Sequence, residues 1–89
     1  MTSATRAVEI YTTPFCPYCL AAKRLLTRKG VAFTEIDVSA DPELRAAMTR
    51  RAQGRRTVPQ IFIGDIHVGG SDDLHEIERE GRLDALLSA

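Results

Sequence analysis

Val8-Glu9-Ile10-Tyr11-Thr12 and Phe33-Thr34-Glu35-Ile36-Asp37-Val38 alternate apolar and polar side chains, the period of a half-buried strand. Between them, Leu20 to Lys29 carries Ala22, Leu25 and Leu26 at helical spacing among basic residues, and Gly30 closes that helix. Two strands joined through a helix form a right-handed crossover, so they are predicted to run parallel. Asp41-Pro42-Glu43 then supplies an N-cap, a proline suited to the first helical position and an acid near the positive end of the dipole. Leu44, Ala47, Met48 and Ala52 mark the apolar face of this second helix, Arg45, Arg50 and Arg51 its solvated face, and Gly54 its end. Ile61-Phe62-Ile63 and Ile66-His67-Val68 flank Gly64-Asp65, a pair that signals a two-residue hairpin. After Gly69-Gly70, Ser71 is predicted to cap a last helix with Asp72 and Asp73 in its first turn and Leu74, Ile77 and Leu83 facing inward. The predicted order is β-α-β-α-β-β-α, without repeats or low-complexity segments.

At 89 residues the chain reads as one domain, 1–89, with 1–7 a short polar lead-in. A chain of this size buries roughly 60 to 65% of its unfolded surface, enough for one modest core. No apolar run approaches the ~20 residues of a membrane helix, and nothing at the N-terminus resembles a secretory signal, so a soluble cytoplasmic protein is expected. Lys and Arg balance Asp and Glu at 12 each, but unevenly: through Arg56 there are 10 basic and 5 acidic residues, and beyond it 2 and 7. The basic half suits anionic ligands. Two tyrosines, no tryptophan and no basic-aromatic interleaving argue against a nucleic-acid surface.

The chemistry concentrates in Cys16-Pro17-Tyr18-Cys19, where the first strand hands over to the first helix, a position at which Cys-X-X-Cys reads as a redox pair. Pro17 fits the first helical position because its missing N–H is not needed there, which makes Cys16 the N-cap. A side-chain acceptor at that place takes the amide of the second or third helical residue and feels the positive end of the dipole, and both effects favour a thiolate at Cys16. Lys23 and Arg24 add positive potential from about two turns away, whereas Cys19, one turn deeper, is expected to stay mostly protonated. Nucleophilicity falls by ~0.4 to 0.5 log unit per unit of acidity gained, so an acidic sulfur gains chiefly as a leaving group. That suits a catalyst that forms a mixed disulfide and must be released from it. A structural disulfide fits less well, since so short a loop constrains the unfolded chain little. A zinc site would need His67 and His75, eight residues apart rather than at short helical spacing, and each histidine reads as a surface residue.

Cys-Pro-Tyr-Cys after strand one, Thr57-Val58-Pro59 before strand three and Gly69-Gly70-Ser71-Asp72-Asp73 before the last helix, in this order, resemble a short bacterial dithiol glutaredoxin over residues 8 to 87. The resemblance implies an α/β thioredoxin fold: a four-stranded mixed sheet in order 2-1-3-4 flanked by three helices, two on one face and one on the other. It implies a cis Pro59 that brings the Val58 backbone beside Cys16, to pair strand-like with the cysteine of bound glutathione. Gly70, Ser71 and Asp72 are expected at the γ-glutamyl end. Glycines admit a ligand to the backbone, N–H groups at a helix start suit its carboxylate, and the Asp72 side chain suits its ammonium. Arg56, or its neighbour Arg55, and Lys23 are candidates for the glycyl carboxylate, with Thr57 beside them and Tyr18 packing on the peptide. Thr13 departs from the family pattern, in which many members carry Lys or Arg three residues before the first active cysteine.

The expected activity is glutathione-dependent thiol-disulfide exchange. Cys16 attacks protein-glutathione mixed disulfides and is freed by a second glutathione; for protein disulfides, Cys19 resolves the intermediate. Glutathione is the reducing co-substrate, no permanently bound cofactor is expected, and the chain is read as a monomer whose partners are glutathionylated or disulfide-containing proteins. One alternative keeps the chemistry but takes electrons from a flavoprotein thioredoxin reductase, which the missing cation at Thr13 favours. Another is a binding module in which two chains hold an iron-sulfur cluster through Cys16 and glutathione, a reading that Pro17 counts against.

Overall fold

The central strand β1 (Val8–Thr12) pairs in parallel with β2 (Thr34–Asp37) on one side and antiparallel with β3 (Gln60–Ile63) on the other. β4 (Ile66–Gly69) closes the far edge, giving the order β2-β1-β3-β4 that the resemblance implies. The coordinates form a computed structural model that describes residues 6–88; Met1–Thr5 of the expected lead-in lie outside the described residues. Gly64 turns the hairpin with φ +59, the positive angle required at the first residue of a type II′ turn.

Alternation along β1 and β3 divides the apolar side chains between two faces. Val8, Ile10, Ile61 and Ile63 point to one face, where they meet Ala22, Leu25 and Leu26 of α1 (Pro17–Arg28) and Leu74 of α3 (Ser71–Arg79). Leu83 and Leu87 of α4 (Leu83–Leu87) complete that core. Ile10, Leu26, Ile61, Ile63, Leu74 and Leu83 are each fully buried, and burial of such a side chain contributes about 1.5–3 kcal/mol. Tyr11 and Phe62 point to the other face, against Val38 and against Met48 and Ala52 at the end of α2 (Pro42–Arg51). α1 and α3 therefore share one side of the sheet and α2 covers the other, as expected.

Three local readings change. Arg51 is only partly solvated: its guanidinium lies 4.0 Å over the Phe62 ring and 2.7 Å from Glu9 Oε1, and it donates to the Tyr11 hydroxyl at 3.1 Å. A helix burying so few apolar side chains leaves part of the second face open, and a stacked guanidinium with an aliphatic stem covers it. Leu44, assigned to the apolar face, is instead 39% exposed. Gln53 rather than Gly54 makes the first left-handed turn after α2, at φ +58, with Gln53 N–H donating to Arg50 O and Gly54 N–H to Thr49 O. That hydrogen-bond pair is a Schellman closure one residue earlier than the glycine suggests.

The expected last helix is two helices. Gly81 takes φ +72, its N–H donates to Glu78 O and the Arg82 N–H to Ile77 O, the same closure that Gly30 and Val31 give α1. The turn redirects the chain so that Leu83 and Leu87 return to the core rather than continue along α3. Among the described residues no helix is long and apolar enough to cross a membrane.

A Gly81→Ala substitution places a β-carbon at a left-handed position with open space around it, so its cost is conformational, not steric. It is expected to lower the unfolding free energy by about 1–2 kcal/mol in denaturant titration.

Candidate active site

β1 delivers the chain to a loop, Thr13-Pro14-Phe15, whose last residue takes φ +60 and is fully solvent-exposed. Cys16 follows in extended conformation as the N-cap of α1, with Pro17 opening the helix. Its sulfur accepts the Cys19 amide at 3.1 Å, the bond foreseen from the sequence. Cys16 is half-buried, Cys19 is 2% exposed, and both are free thiols. Burial, reinforced by an S–H hydrogen bond to Cys16, pushes the Cys19 thiol from 9.0 up to about 12. The two sulfurs are thus made unlike by place: one at the mouth of the helix, the other a turn inside it.

The Val58–Pro59 peptide is cis, and Cys16 Sγ lies 3.9 Å from the Val58 carbonyl oxygen. Thr57, Val58 and Pro59 form one wall of a groove of about 410 Å3; Tyr18, Gly70, Ser71 and Asp72 line the rest together with Arg55 and Asp73. Seven of the residues expected around glutathione therefore meet in one place, although they come from three separate stretches of chain. Arg56 does not line it. Its carbonyl accepts from Arg45 Nη2 at 2.9 Å, while Arg55 reaches the groove and its Nη1 lies 3.2 Å from Asp73 Oδ2. Adjacent arginines in an irregular segment carry no periodicity, so nothing in the sequence could choose between them.

At the other end of the groove, Gly69 takes φ +114, and a β-carbon there would sit 2.5 Å from Asp73 Oδ2. Ser71 is the first helical residue rather than the cap. Gly70 is the N-cap, and the orphan donor satisfied at this end is its own N–H, which Asp73 Oδ2 accepts at 2.8 Å. That bond holds the Asp73 carboxyl below its ordinary range, against burial and with help from Arg55. Asp72 is left exposed, forming no ion pair among the described residues.

Lys23 sits elsewhere. Its Nζ lies 2.9 Å from Glu35 Oε2, which also accepts the Thr12 hydroxyl at 2.7 Å, and these two bonds lower the Glu35 carboxyl. Lys23, Glu35, Thr13, Phe15 and Leu20 line a second groove of about 550 Å3 that includes both cysteines. The sequence foresaw Lys23 as a cation; its pairing across β2 was hidden because Glu35 is 12 residues away. Neither histidine is a plain surface residue. His67 stacks on Phe62 with ring centroids 4.8 Å apart and its Nε2 lies 2.7 Å from Gln60 Oε1; His75 Nδ1 lies 2.8 Å from the Ser71 carbonyl.

Residues 8–68 match the family model described as Glutaredoxin. The chain is 65% identical over 82 residues to a glutaredoxin of Pseudomonas aeruginosa, covering 92% of this chain and 96% of that protein. Among solved structures, it is similar to the solution structure of glutaredoxin from Brucella melitensis, with TM-score 0.84 and 62% identity over 94% of this chain and 90% of that one. It is also similar to a buckwheat glutaredoxin-glutathione complex, with TM-score 0.83 and 30% identity over 92% of this chain and 76% of that one.

The raised Cys19 thiol ties stability to pH. The folded chain keeps this proton to about 12, the unfolded chain only to the ordinary 9.0, so stability present below 9.0 is lost as pH climbs toward 12. Cys19→Ala is expected to remove that component, read as a shallower alkaline fall in the denaturation midpoint than in the wild type.

Proposed function

This chain belongs to the glutaredoxin family of thiol-disulfide oxidoreductases, which use glutathione as co-substrate, and from that premise we propose how it works: as a single-domain monomer in the cytoplasm, where thiols are kept reduced. It reduces protein-glutathione mixed disulfides through Cys16 and protein disulfides through Cys16 with Cys19. The observation that carries this reading is the asymmetry of the pair, one sulfur accepting an amide at the accessible helix start and the other buried with its proton held.

In the one-thiol route the Cys16 thiolate attacks the glutathionyl sulfur of the mixed disulfide. The old S–S bond breaks, and its electron pair leaves with the protein sulfur, which takes a proton from water. A second glutathione, as thiolate, attacks the glutathionyl sulfur now on Cys16. Glutathione disulfide departs and Cys16 regains its anion; the net exchange consumes one reduced glutathione, whose sulfur takes the place of the protein sulfur in the disulfide. The amide at 3.1 Å supports the anion each time it is formed.

In the two-thiol route a protein disulfide takes the place of the mixed disulfide, and Cys19 then attacks the sulfur of Cys16 to expel the second protein thiol. Cys19 must first give up its proton. Once Cys16 is bonded to another sulfur it no longer carries charge or accepts the Cys19 S–H, and two of the causes that hold this proton disappear. Resolution is thereby linked to formation of the intermediate. Two glutathione molecules reduce the resulting Cys16–Cys19 bond.

The groove beside Cys16 supports the placement of glutathione. The Val58 backbone pairs with its cysteinyl residue, the amides of Ser71 and the exposed carboxylate of Asp72 face its charged γ-glutamyl end, and Tyr18 packs on the peptide. Gly70 and Pro59 give the ligand room and Thr57 borders it. Arg55, rather than Arg56, is the cation that lines the groove, its guanidinium lying against Asp73 and Gly69–Gly70 at the γ-glutamyl end. The likeness to glutaredoxins favours neither a flavoprotein-reduced redoxin nor a cluster-binding module.

Turnover of a glutathionylated peptide with glutathione and glutathione reductase tests the roles. Cys16→Ser is expected to abolish it and Cys19→Ser to retain it, while Cys19→Ser loses reduction of a protein disulfide. An active Cys16→Ser variant beside an inactive Cys19→Ser variant reverses the assignment.

A further inference from the structure

Gln60 begins β3 with its side chain wholly removed from solvent. A buried amide persists in a core when its hydrogen-bonding groups are met, and here they are. Nε2 donates to the Thr57 carbonyl at 3.0 Å and lies 3.2 Å from the Thr57 hydroxyl. Because a carbonyl can only accept, the amide nitrogen must face Thr57 and its oxygen must face His67. His67 is therefore the donor, through Nε2–H, at 2.7 Å.

The ring that supplies this donor is itself fixed. It stacks on Phe62, which takes the Tyr11 ring edge-on at 5.7 Å and carries the Arg51 guanidinium at 4.0 Å. The segment that receives the chain of bonds is not so held. Residues 55–58 belong to no strand, and the hydrogen bonds to this stretch among the described residues are Arg55 N–H to Ala52 O, Arg55 Nη1 to Asp73, Arg45 to Arg56 O, the two from Gln60 to Thr57, and a long one, 3.9 Å, from Cys16 Sγ to Val58 O. Thr57 and Val58 nonetheless form a wall of the groove, and Val58 O is 3.9 Å from the reactive sulfur.

We propose that Gln60 and His67 are positioning residues for glutathione: anchored on Phe62, they hold the Thr57–Val58 backbone where it pairs with the ligand's peptide. They touch neither ligand nor sulfur. The inference rests on the reading of this groove as the glutathione site, and it assigns to the pair the binding of glutathionyl groups rather than the reactivity of Cys16.

Two variants separate these effects. His67→Phe keeps an aromatic ring on Phe62 and removes the donor; Gln60→Met fills similar volume without polar atoms. Each is expected to raise KM for a glutathionylated peptide by roughly tenfold, the scale of one lost hydrogen bond, at unchanged kcat. Alkylation of Cys16 by iodoacetamide, which needs no groove, should proceed at the wild-type rate. Should Gln60→Met not fold, His67→Phe, changed at a partly exposed position, carries the test alone. A wild-type KM in His67→Phe overturns the proposal, and so does a joint fall in kcat and alkylation rate, which would assign the pair to the support of the sulfur. A wild-type chain that cannot turn over the glutathionylated peptide overturns the reading of the groove instead, a distinguishable result.

Discussion

The amide of Cys19 can serve the sulfur of Cys16 only while α1 exists and starts where it does. Three constraints hold that start in place: Pro17 at the first helical position, the end of β1 four residues before the cap, and the burial of Ala22, Leu25 and Leu26 against the sheet. Core packing, worth far more than any single hydrogen bond, thus fixes the geometry of a bond that has chemical meaning. The same helical turn that points one amide outward at Cys16 carries Cys19 inward. A single structural element therefore leaves one thiol accessible and amide-bound and the other buried with its proton held.

The remainder of the site arrives through the sheet. Because β3 lies beside β1, the segment before β3 comes to the same end of the sheet as the helix start, and Val58 reaches the sulfur across 42 positions of sequence. Gly69 ends β4 and Gly70 caps α3, bringing amides and an exposed carboxylate to the far wall of the groove. On the α2 side, Arg51, Phe62, His67 and Gln60 form a polar and aromatic stack where an apolar core would have served stability alone. Buried polar networks of this kind specify position when every member is satisfied, and among the described residues no buried side-chain polar atom lacks a partner.

Part of the uneven charge of the sequence folds back on itself. Lys29 meets Glu78 and Asp84, Arg55 meets Asp73, and Lys23 meets Glu35. These pairs are partly exposed and individually modest. Their larger consequence is electrostatic: Lys23, the cation expected to support the Cys16 anion, has a carboxylate 2.9 Å away, and Thr13 supplies no charge. What reaches the Cys16 sulfur is the Cys19 backbone amide, whose dipole does not titrate.

The strands, the crossover, the hairpin and the Cys16 cap could be read from the chain because each depends on neighbours within a few positions: alternation sets a strand's faces, proline and cysteine set a helix start. A groove lined by Thr57–Pro59 and Gly70–Asp72 could be expected only by resemblance, since no local rule joins segments so far apart. The sequence could not choose between Arg55 and Arg56, placed Arg51 in solvent, gave the cap of α3 to Ser71 and offered no partner for Lys23. All but the cap turn on contacts with groups distant along the chain; the cap turns on the Asp73 carboxylate taking the Gly70 N–H three residues back. Local physics determined the elements and the cysteine that caps α1; only packing of the elements, which chooses among long-range partners by burial and hydrogen-bond satisfaction, decided the groove around it.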